Sequence, residues 1–318
     1  MGGHILAIKD MAGLCRPFAA YELVKTLKQE VGMPIHFHTH DSSGLNAATL
    51  LKASEAGVDI IDGAAASMSG STSQPNLNSI AASLKNTDRD TGLDEQALSD
   101  HSLYWETVRT YYLPFDNAPR HGSADIYMHE IPGGQFTNLQ QQAAAMGLGQ
   151  RWREVERMYA DVNQLFGDIV KVTPSSKVVG DMALYLLSKG MTCEEVAALP
   201  LDHSVAFPDS VSDMMAGSLG VPPDGWPESV QRIILRGAKP IEGRAGAKLP
   251  AADFESLKAE LAPILHREPR WDETLSYVLY PQVFKDYAAK RLAYSDVSVL
   301  PTPVFFYGMQ TGEEWAID

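Results

Sequence analysis

PIHFHTHD, residues 34–41, has the composition of a buried strand that ends in polar side chains. Upstream, ILAIKD at residues 5–10 has the same apolar, β-branched character, and a stretch with helical spacing from Arg16 to Val31 lies between the two. Downstream, a second helical stretch from Ala47 to Ala56 leads to a third strand-like run, VDIIDG, at residues 58–63. Strands that alternate with helices in this way predict βα units and a parallel sheet, so we expect an α/β fold.

The pattern changes in the second half of the chain. DIYMHEI, residues 125–131, predicts a fourth strand because it is short, apolar and followed by Pro132-Gly133-Gly134. From about Thr137 to Leu292 the spacing of apolar residues is mainly helical. Residues 297–307 return to strand composition, which predicts a further element near the end of the chain.

Composition excludes several classes of protein. A chain of 318 residues with 45% hydrophobic residues can bury a sizeable core, and its length suggests about two domains. The 26 Lys and Arg against 40 Asp and Glu give a net charge of −14, so no nucleic-acid partner is expected. The sequence contains no run of 18 apolar residues, which argues against a membrane partner. Two cysteines and no signal-peptide pattern predict a cytoplasmic location.

Two histidines at the end of the second predicted strand are candidate metal ligands. His38 and His40 are two residues apart, so period-2 geometry places both imidazoles on one face of the strand, about 6 to 7 Å apart. Imidazole suits zinc, and also manganese when oxygen ligands complete the site. The alternative is a polar strand end whose histidines are hydrogen-bonded and bind no metal. Asp41 or Asp62 could orient the rings. Lys9 ends the first strand and faces the same region, either as a functional group or paired with a nearby aspartate.

Two further polar clusters could form a binding pocket. VTPSSK, residues 172–177, places Thr173, Ser176 and Lys177 at a predicted helix start, where a hydroxyl beside a lysine can move a proton. The alternative is an ordinary N-terminal cap with proline in the first turn. Gln135 follows two glycines that permit close backbone approach, although a plain strand-to-helix turn fits this segment as well.

These motifs together resemble the carboxyltransferase domains of pyruvate carboxylases. The resemblance rests on IKDMAG at 8–13, HFHTHD at 36–41, HEIPGGQ at 129–135 and VTPSSK at 172–177, in this order. It extends through SYVLYP at 276–281 and LPTPVFFYG at 300–308. Oxaloacetate decarboxylase α-subunits and transcarboxylases share the His-x-His motif and are the alternative relatives, but the last segment favours pyruvate carboxylases.

The resemblance implies a fold and a domain organisation. Residues 1–138 would be the C-terminal half, with four strands, of a (β/α)8 TIM barrel. Residues 139–294 would form a helical funnel domain, and residues 295–318 would begin an allosteric or tetramerisation domain.

The resemblance also implies roles for individual residues. Lys9, carboxylated on its side chain, would bind a divalent metal (zinc or manganese) together with His38 and His40. Thr173 would relay a proton between pyruvate and biotin. A pocket of polar side chains would hold the ureido ring of biotin, namely Gln135, Ser176 and Lys177. The reaction implied is carboxyl transfer from carboxybiotin to pyruvate, which gives oxaloacetate.

Several parts of such an enzyme have no counterpart in these residues. The aspartate ligand of the first barrel strand, the arginine that binds pyruvate and the biotin-bearing carrier domain are all missing. We therefore expect the chain to work with the remaining half of the barrel, with a separate carboxybiotin carrier domain, and as a homotetramer in the full-length protein. The non-enzymatic alternative is an inactive fragment with only a structural or oligomer role.

Overall fold

The structure, a computed structural model, describes residues 2–116 and 118–294. The chain divides into two compact units, residues 1–247 and residues 248–318. The candidate residues all lie in the first unit. The predicted strand at 297–307 and the predicted third domain at 295–318 lie outside the described residues.

The first unit begins with a parallel sheet in the order β1-β2-β3. Strand β1 spans Leu6–Asp10, β2 spans Ile35–Thr39 and β3 spans Ile60–Ile61. The register pairs Lys9 with His38, so these two residues are direct neighbours across adjacent strands. The parallel α/β arrangement predicted from the sequence is therefore confirmed.

Helices make up most of the remaining described chain. In the first unit the helices are α1 (Pro17–Glu30), α2 (Asn46–Glu55), α3 (Leu77–Leu84), α4 (Glu95–Tyr112), α5 (Ile126–His129), α6 (Gly133–Ala145), α7 (Trp152–Leu165), α8 (Ser175–Lys189), α9 (Cys193–Ala197), α10 (Asp209–Ala216) and α11 (Glu228–Ile234). Short 3₁₀ turns occur at Ala66–Met68, Leu113–Phe115, Gly149–Arg151 and Ala245–Lys248. The predicted helices from Arg16 and from Ala47 are thus confirmed as α1 and α2.

The two faces of the sheet are different. Ile35 and Phe37 of β2 are fully buried in a core that includes Val24 of α1 and Leu50 of α2. The opposite face carries the histidines of β2 and the exposed side chain of Lys9. Because side chains alternate along a strand, the apolar residues pack on one side and the polar candidate residues lie on the other.

The predicted fourth strand is wrong. Residues Ile126–His129 form the short helix α5. Ser123 starts this turn, since its hydroxyl accepts a hydrogen bond from the Asp125 amide at 3.2 Å and its carbonyl accepts one from the Ile126 amide. Glu130 ends it in the left-handed conformation, at φ 56°. A local turn at Ser123 therefore overrides the strand composition, and the sheet of the described residues has three strands instead of four.

A second core fills the helical part of the first unit. Helices α7 and α8 pack closely and supply many of its fully buried side chains, including Tyr159, Met182 and Leu186, and Phe166 directly after α7 adds another. This confirms the predicted helical character of the segment that follows Thr137. The candidate cluster at 172–177 lies where α8 begins.

The described part of the second unit is helical. It contains α12 (Phe254–Leu265), α13 (Trp271–Leu279) and α14 (Pro281–Tyr294). Leu261, Leu265, Tyr277, Phe284 and Ala288 form its apolar core. Across residues 2–116 and 118–294, no helix combines the length and the apolar character that a bilayer crossing requires.

Candidate functional site

The two candidate histidine ligands face each other at the end of β2. Nε2 of His38 lies 3.3 Å from Nε2 of His40, and the ring centroids are 5.2 Å apart. His40 is 8% exposed and His38 is partly buried. The sequence placed both rings on one face, and the structure brings their nitrogens closer together than strand spacing alone would.

Each ring is held by its other nitrogen. Nδ1 of His38 lies 2.7 Å from Oδ2 of Asp62. The other carboxylate oxygen of Asp62, Oδ1, lies 2.8 Å from Nε2 of His36. Nδ1 of His40 lies 2.7 Å from the backbone carbonyl oxygen of Thr72. A carbonyl and an ionised carboxylate can only accept, so both Nδ1 atoms donate. In the neutral form of each ring the lone pair is therefore on Nε2, and the two Nε2 atoms face each other.

Electrostatics keep the site in this state. Burial lowers the pKa of His40, with the nearby positive charge of Lys9 acting in the same direction, so His40 is neutral at pH 7. Burial alone would raise the pKa of Asp62, but hydrogen bonds from His36 and His38 outweigh it and lower the pKa. Asp62 is thus an anionic acceptor, and the expectation that it orients a histidine ring is confirmed.

This geometry fits a divalent metal ion. Two nitrogens bound to one tetrahedral zinc at about 2.0 to 2.1 Å lie about 3.4 Å from each other, close to the 3.3 Å separation between His38 and His40. Lys9, the register partner of His38, is the neighbouring side chain that could complete the set if it became an oxygen ligand. Within residues 2–116 and 118–294, no three side chains of His, Cys, Asp and Glu form a metal-binding group. Among those residues Lys9 also has no ion-pair partner within 4.0 Å, so its predicted pairing with an aspartate is not observed.

Gly133 brings the HEIPGGQ segment against this site. A β-carbon at position 133 would lie 2.8 Å from Nδ1 of His40 and 2.7 Å from the Thr72 carbonyl oxygen. The Gly133 amide donates to the carbonyl of Met11, in the loop after β1, at 3.0 Å. The start of helix α6 therefore touches both the histidine and its hydrogen-bond acceptor, because glycine leaves the room that this approach needs.

Gln135 lies two residues further along α6 and points toward α8. Its side chain is 8% exposed, and its Nε2 has no hydrogen-bond partner among the described residues. A β-carbon at Gly180 of α8 would lie 2.8 Å from this Nε2, so the two helices meet at Gln135. A buried amide donor without a partner is costly, and this nitrogen is available to a polar ligand.

The VTPSSK cluster lies at the start of the same helix, α8. Thr173 and Lys177 are exposed, whereas Ser176 is 4% exposed and accepts a hydrogen bond from the Tyr159 hydroxyl at its carbonyl. Lys177 forms an ion pair with Asp181 at 2.5 Å. Pro174 is the residue directly before α8, and no side-chain hydrogen bond caps the start of this helix.

Ser175 organises the loop that enters α8. Its hydroxyl accepts from the Val172 amide at 3.0 Å and donates to the Val170 carbonyl at 2.7 Å. This hydroxyl therefore shapes the backbone around Thr173 instead of acting as an ordinary helix cap.

Sequence reasoning missed three parts of the site. His36 shares Asp62 with His38, and the strand periodicity that selected His38 and His40 could have included it. Thr72 acts through its backbone, so no side-chain pattern signals it. Gly180 looks like any other glycine in a helical stretch, and only the packing of α6 on α8 shows its importance.

His129 is a buried histidine beside the site. It is 6% exposed, and burial lowers its pKa to about 4. Its Nδ1 accepts a hydrogen bond from the Ile131 amide at 3.1 Å, and its Nε2 is 3.8 Å from Glu156, too far for a hydrogen bond. His129 is therefore neutral, and its ring stabilises the turn before Pro132 by accepting this hydrogen bond.

Two protein families match the chain. The family described as "Conserved carboxylase domain" matches residues 126–318, and the family described as "HMGL-like" matches residues 1–103. The first match covers more than half of the chain.

Known proteins match over the whole chain. The pyruvate carboxylase of Bacillus subtilis (strain 168) is 49% identical over 317 residues, and the mitochondrial pyruvate carboxylase of Homo sapiens is 40% identical over 320 residues. Each alignment covers 100% of this chain but 27% of the relative, so the chain spans about a quarter of the length of these proteins.

Solved structures show the same relationship. The carboxyl transferase domain of Rhizobium etli pyruvate carboxylase, solved with pyruvate and biocytin, superposes with a TM-score of 0.91 and 51% identity. That alignment covers 96% of this chain and 51% of the solved domain. The complete multifunctional pyruvate carboxylase from the same organism gives a TM-score of 0.89 and is covered to 30%.

Proposed function

This chain belongs to the conserved carboxylase domain family, and on that premise we propose that it performs part of the carboxyl transfer from carboxybiotin to pyruvate that gives oxaloacetate. The similarity of the whole chain to pyruvate carboxylases, and of its fold to a carboxyl transferase domain solved with pyruvate and biocytin, supports this reaction. It also favours this reaction over the decarboxylase and transcarboxylase alternatives.

One observation carries the proposal. Three segments that are far apart in the sequence adjoin one another in the first unit: the strand end at His38 and His40, the start of α6 at Gly133 to Gln135, and α8 at Gly180. Gly133 packs on His40, and Gly180 packs on Gln135. The reaction needs a cation, a polar ring and a proton carrier. The facing nitrogens of His38 and His40 suit the cation, the unpartnered buried amide of Gln135 suits the ring, and the exposed hydroxyl of Thr173 suits the proton transfer.

His38, His40 and Lys9 would hold a divalent metal, zinc or manganese, with Lys9 carboxylated. A carbamate on Lys9 would replace its positive charge with an anionic oxygen ligand, which suits either ion. The metal supplies electrostatic stabilisation of the negative charge that develops on pyruvate when it loses a proton. Asp62 and the Thr72 carbonyl keep both Nε2 atoms available for it.

Gln135, Ser176 and Lys177 would bind the ureido ring of biotin. Gln135 offers a buried amide donor, and Lys177 offers an exposed positive charge in the first turn of α8. Thr173 would carry the proton between pyruvate and biotin through its exposed hydroxyl. Biotin, attached to a carrier domain outside this chain, brings the carboxyl group.

The remaining partners belong to the same proposal. The sheet face that carries Lys9 and His36 is open in this unit, which supports a completed (β/α)8 barrel formed with strands supplied from elsewhere. We assign residues 1–138 to that barrel, 139–294 to a helical funnel domain and 295–318 to the start of an allosteric or tetramerisation domain. A homotetramer and a cytoplasmic location complete the proposal, the latter supported by two free cysteines.

A Thr173→Ala substitution tests the function. It should be made in a protein that joins this chain to the preceding barrel strands, with transfer measured as biotin-dependent loss of carbon dioxide from oxaloacetate, the reverse reaction. We expect at least a 100-fold lower rate with unchanged metal content. Thr107→Ala, which removes an exposed hydroxyl bonded within α4, is the matched control and should keep the rate. A Thr173→Ala protein that is as active as this control contradicts the assignment.

A further inference from the structure

An ion pair with a buried lysine and a largely exposed carboxylate connects the two motifs that the proposed reaction uses. Nζ of Lys171 lies 2.7 Å from a carboxylate oxygen of Glu130. Glu130 belongs to the HEIPGGQ segment, five residues before Gln135, and Lys171 precedes Thr173 by two residues. The pair thus spans 41 positions of sequence and joins the turn before α6 to the loop before α8.

The lysine side of this pair is far more buried than the carboxylate side. The Lys171 side chain is 9% exposed, whereas the Glu130 side chain is 41% exposed. Among the described residues, Glu130 is the ion-pair partner of Lys171 within 4.0 Å. A buried ammonium group is costly unless an anion pairs with it. The carboxylate of Glu130 therefore fixes where the ammonium group of Lys171 lies.

Glu130 is itself well anchored. It lies between His129, which is 6% exposed, and Ile131, which is fully buried. Its left-handed backbone, at φ 56°, ends α5 and directs the chain into the Pro132 turn. The carboxylate is therefore presented from a turn with buried neighbours that also leads to Gly133 and Gln135.

The loop at Lys171 has no regular secondary structure. Residues 166–174 contain no helix or strand, and the hydroxyl of Ser175 supplies the contacts to Val170 and Val172. The ion pair adds the connection between this loop and another motif. Thr173, exposed and two residues away, depends on this loop for the position of its hydroxyl.

We propose that the Glu130–Lys171 pair is a positioning element, which holds the Thr173 loop at a fixed place relative to Gln135. This inference rests on the proposed function. Gln135 would hold the biotin ring from the α6 side, and Thr173 must meet that ring from the α8 side to transfer a proton. A displacement of 1 Å between the two would impair proton transfer while leaving pyruvate binding intact.

The test separates positioning from stability with single and double variants in the same barrel-completed protein. Glu130→Gln leaves the buried Lys171 ammonium without its anion, so both stability and the turnover number should fall. The double variant Glu130→Gln with Lys171→Met removes the buried charge altogether and should recover thermal stability. It should not recover turnover, because the loop is no longer tied to the turn.

We expect turnover at least tenfold lower in the double variant, with KM for pyruvate within twofold of the parent value. Incorporation of solvent deuterium into the methyl group of pyruvate should fall in parallel. Hydrogen exchange at the amides of Lys171 to Thr173 should become at least tenfold faster, whereas exchange in the interior of α8 should not change. Lys171→Arg, which keeps the charge, should retain most of the turnover. Glu154→Gln removes the exposed 2.7 Å ion pair with Arg151 and is the matched control without effect.

A double variant that recovers both stability and turnover overturns the proposal, since the pair would then be purely structural. If the parent protein transfers no carboxyl group, the proposed function fails, and loop exchange then decides the positioning role. Faster exchange in the double variant supports the role under that outcome, and unchanged exchange overturns it.

Discussion

Replacing Gly133 with alanine should displace His40 and weaken metal binding. The backbone at this position has ordinary helical φ, so alanine adds only its methyl group. That methyl would lie 2.7 Å from the Thr72 carbonyl oxygen and 2.8 Å from His40 Nδ1, the two atoms joined by the hydrogen bond that orients the ring. Neither atom is the end of a flexible side chain, so the contact cannot be relieved cheaply.

The size of the effect follows from these distances. The neighbours must move by roughly 0.5 Å or more to reach van der Waals contact with the added carbon. Overpacking of this kind costs about 1 to 3 kcal/mol of folding stability, and the better helix propensity of alanine offsets about 0.5 to 1 kcal/mol. Loss of the contact that orients a ligating histidine typically weakens metal affinity by about 10- to 100-fold.

The assay is a competitive zinc titration of the purified chain, combined with urea unfolding of the metal-free form. Gly134→Ala is the matched control, because a β-carbon there meets nothing within 4 Å. The control should bind zinc like the parent and be slightly more stable. If Gly133→Ala binds zinc as tightly as Gly134→Ala, then the histidine pair is not held by this contact and the reasoning fails.

Three further results are expected. Because the folded pKa of His129 is lowered to about 4, the unfolded state takes up its proton first as pH falls below about 6.5, and stability should drop by about 3 kcal/mol between pH 6.5 and 4. Urea unfolding of the parent and of His129→Gln across that range checks this, and an equal slope for both would count against it. Burial raises the pKa of Cys15 to about 11 and that of Cys193 to about 12, so iodoacetamide should label both at least tenfold more slowly than a free thiol at pH 8, and rapid labelling of the folded chain would disprove it. Phe37→Ala, at a fully buried position of the sheet, should cost about 3 to 5 kcal/mol in the same unfolding assay, and a loss below 1 kcal/mol would refute its place in the core.

Periodicity predicted the sheet well because its strands obey one rule. Ile35 and Phe37 alternate with His36 and His38, and the structure places the first two in the core and the other two on the functional face. The fourth strand failed because residues 125–131 are too short for periodicity to separate strand from helix, and the deciding contact came from the Ser123 hydroxyl.

Part of the geometry of the candidate site was predictable from side chains that stand out in the sequence. His38 and His40 stand out in the sequence, and Asp62 was a reasonable candidate to orient them. Distances between segments were not predictable, since the approach of Gly133 to His40 depends on how α6 packs beside the sheet. Such contacts arise from tertiary packing, which local sequence patterns do not predict.

The two histidines differ in how easily a single mutation can release them. The acceptor for His38 is the side chain of Asp62, so one codon change can delete it. The acceptor for His40 is the backbone carbonyl of Thr72, which every amino acid would supply at that position. A comprehensive mutational scan would therefore score position 62 as intolerant and position 72 as permissive, although both residues do the same work for the neighbouring ring.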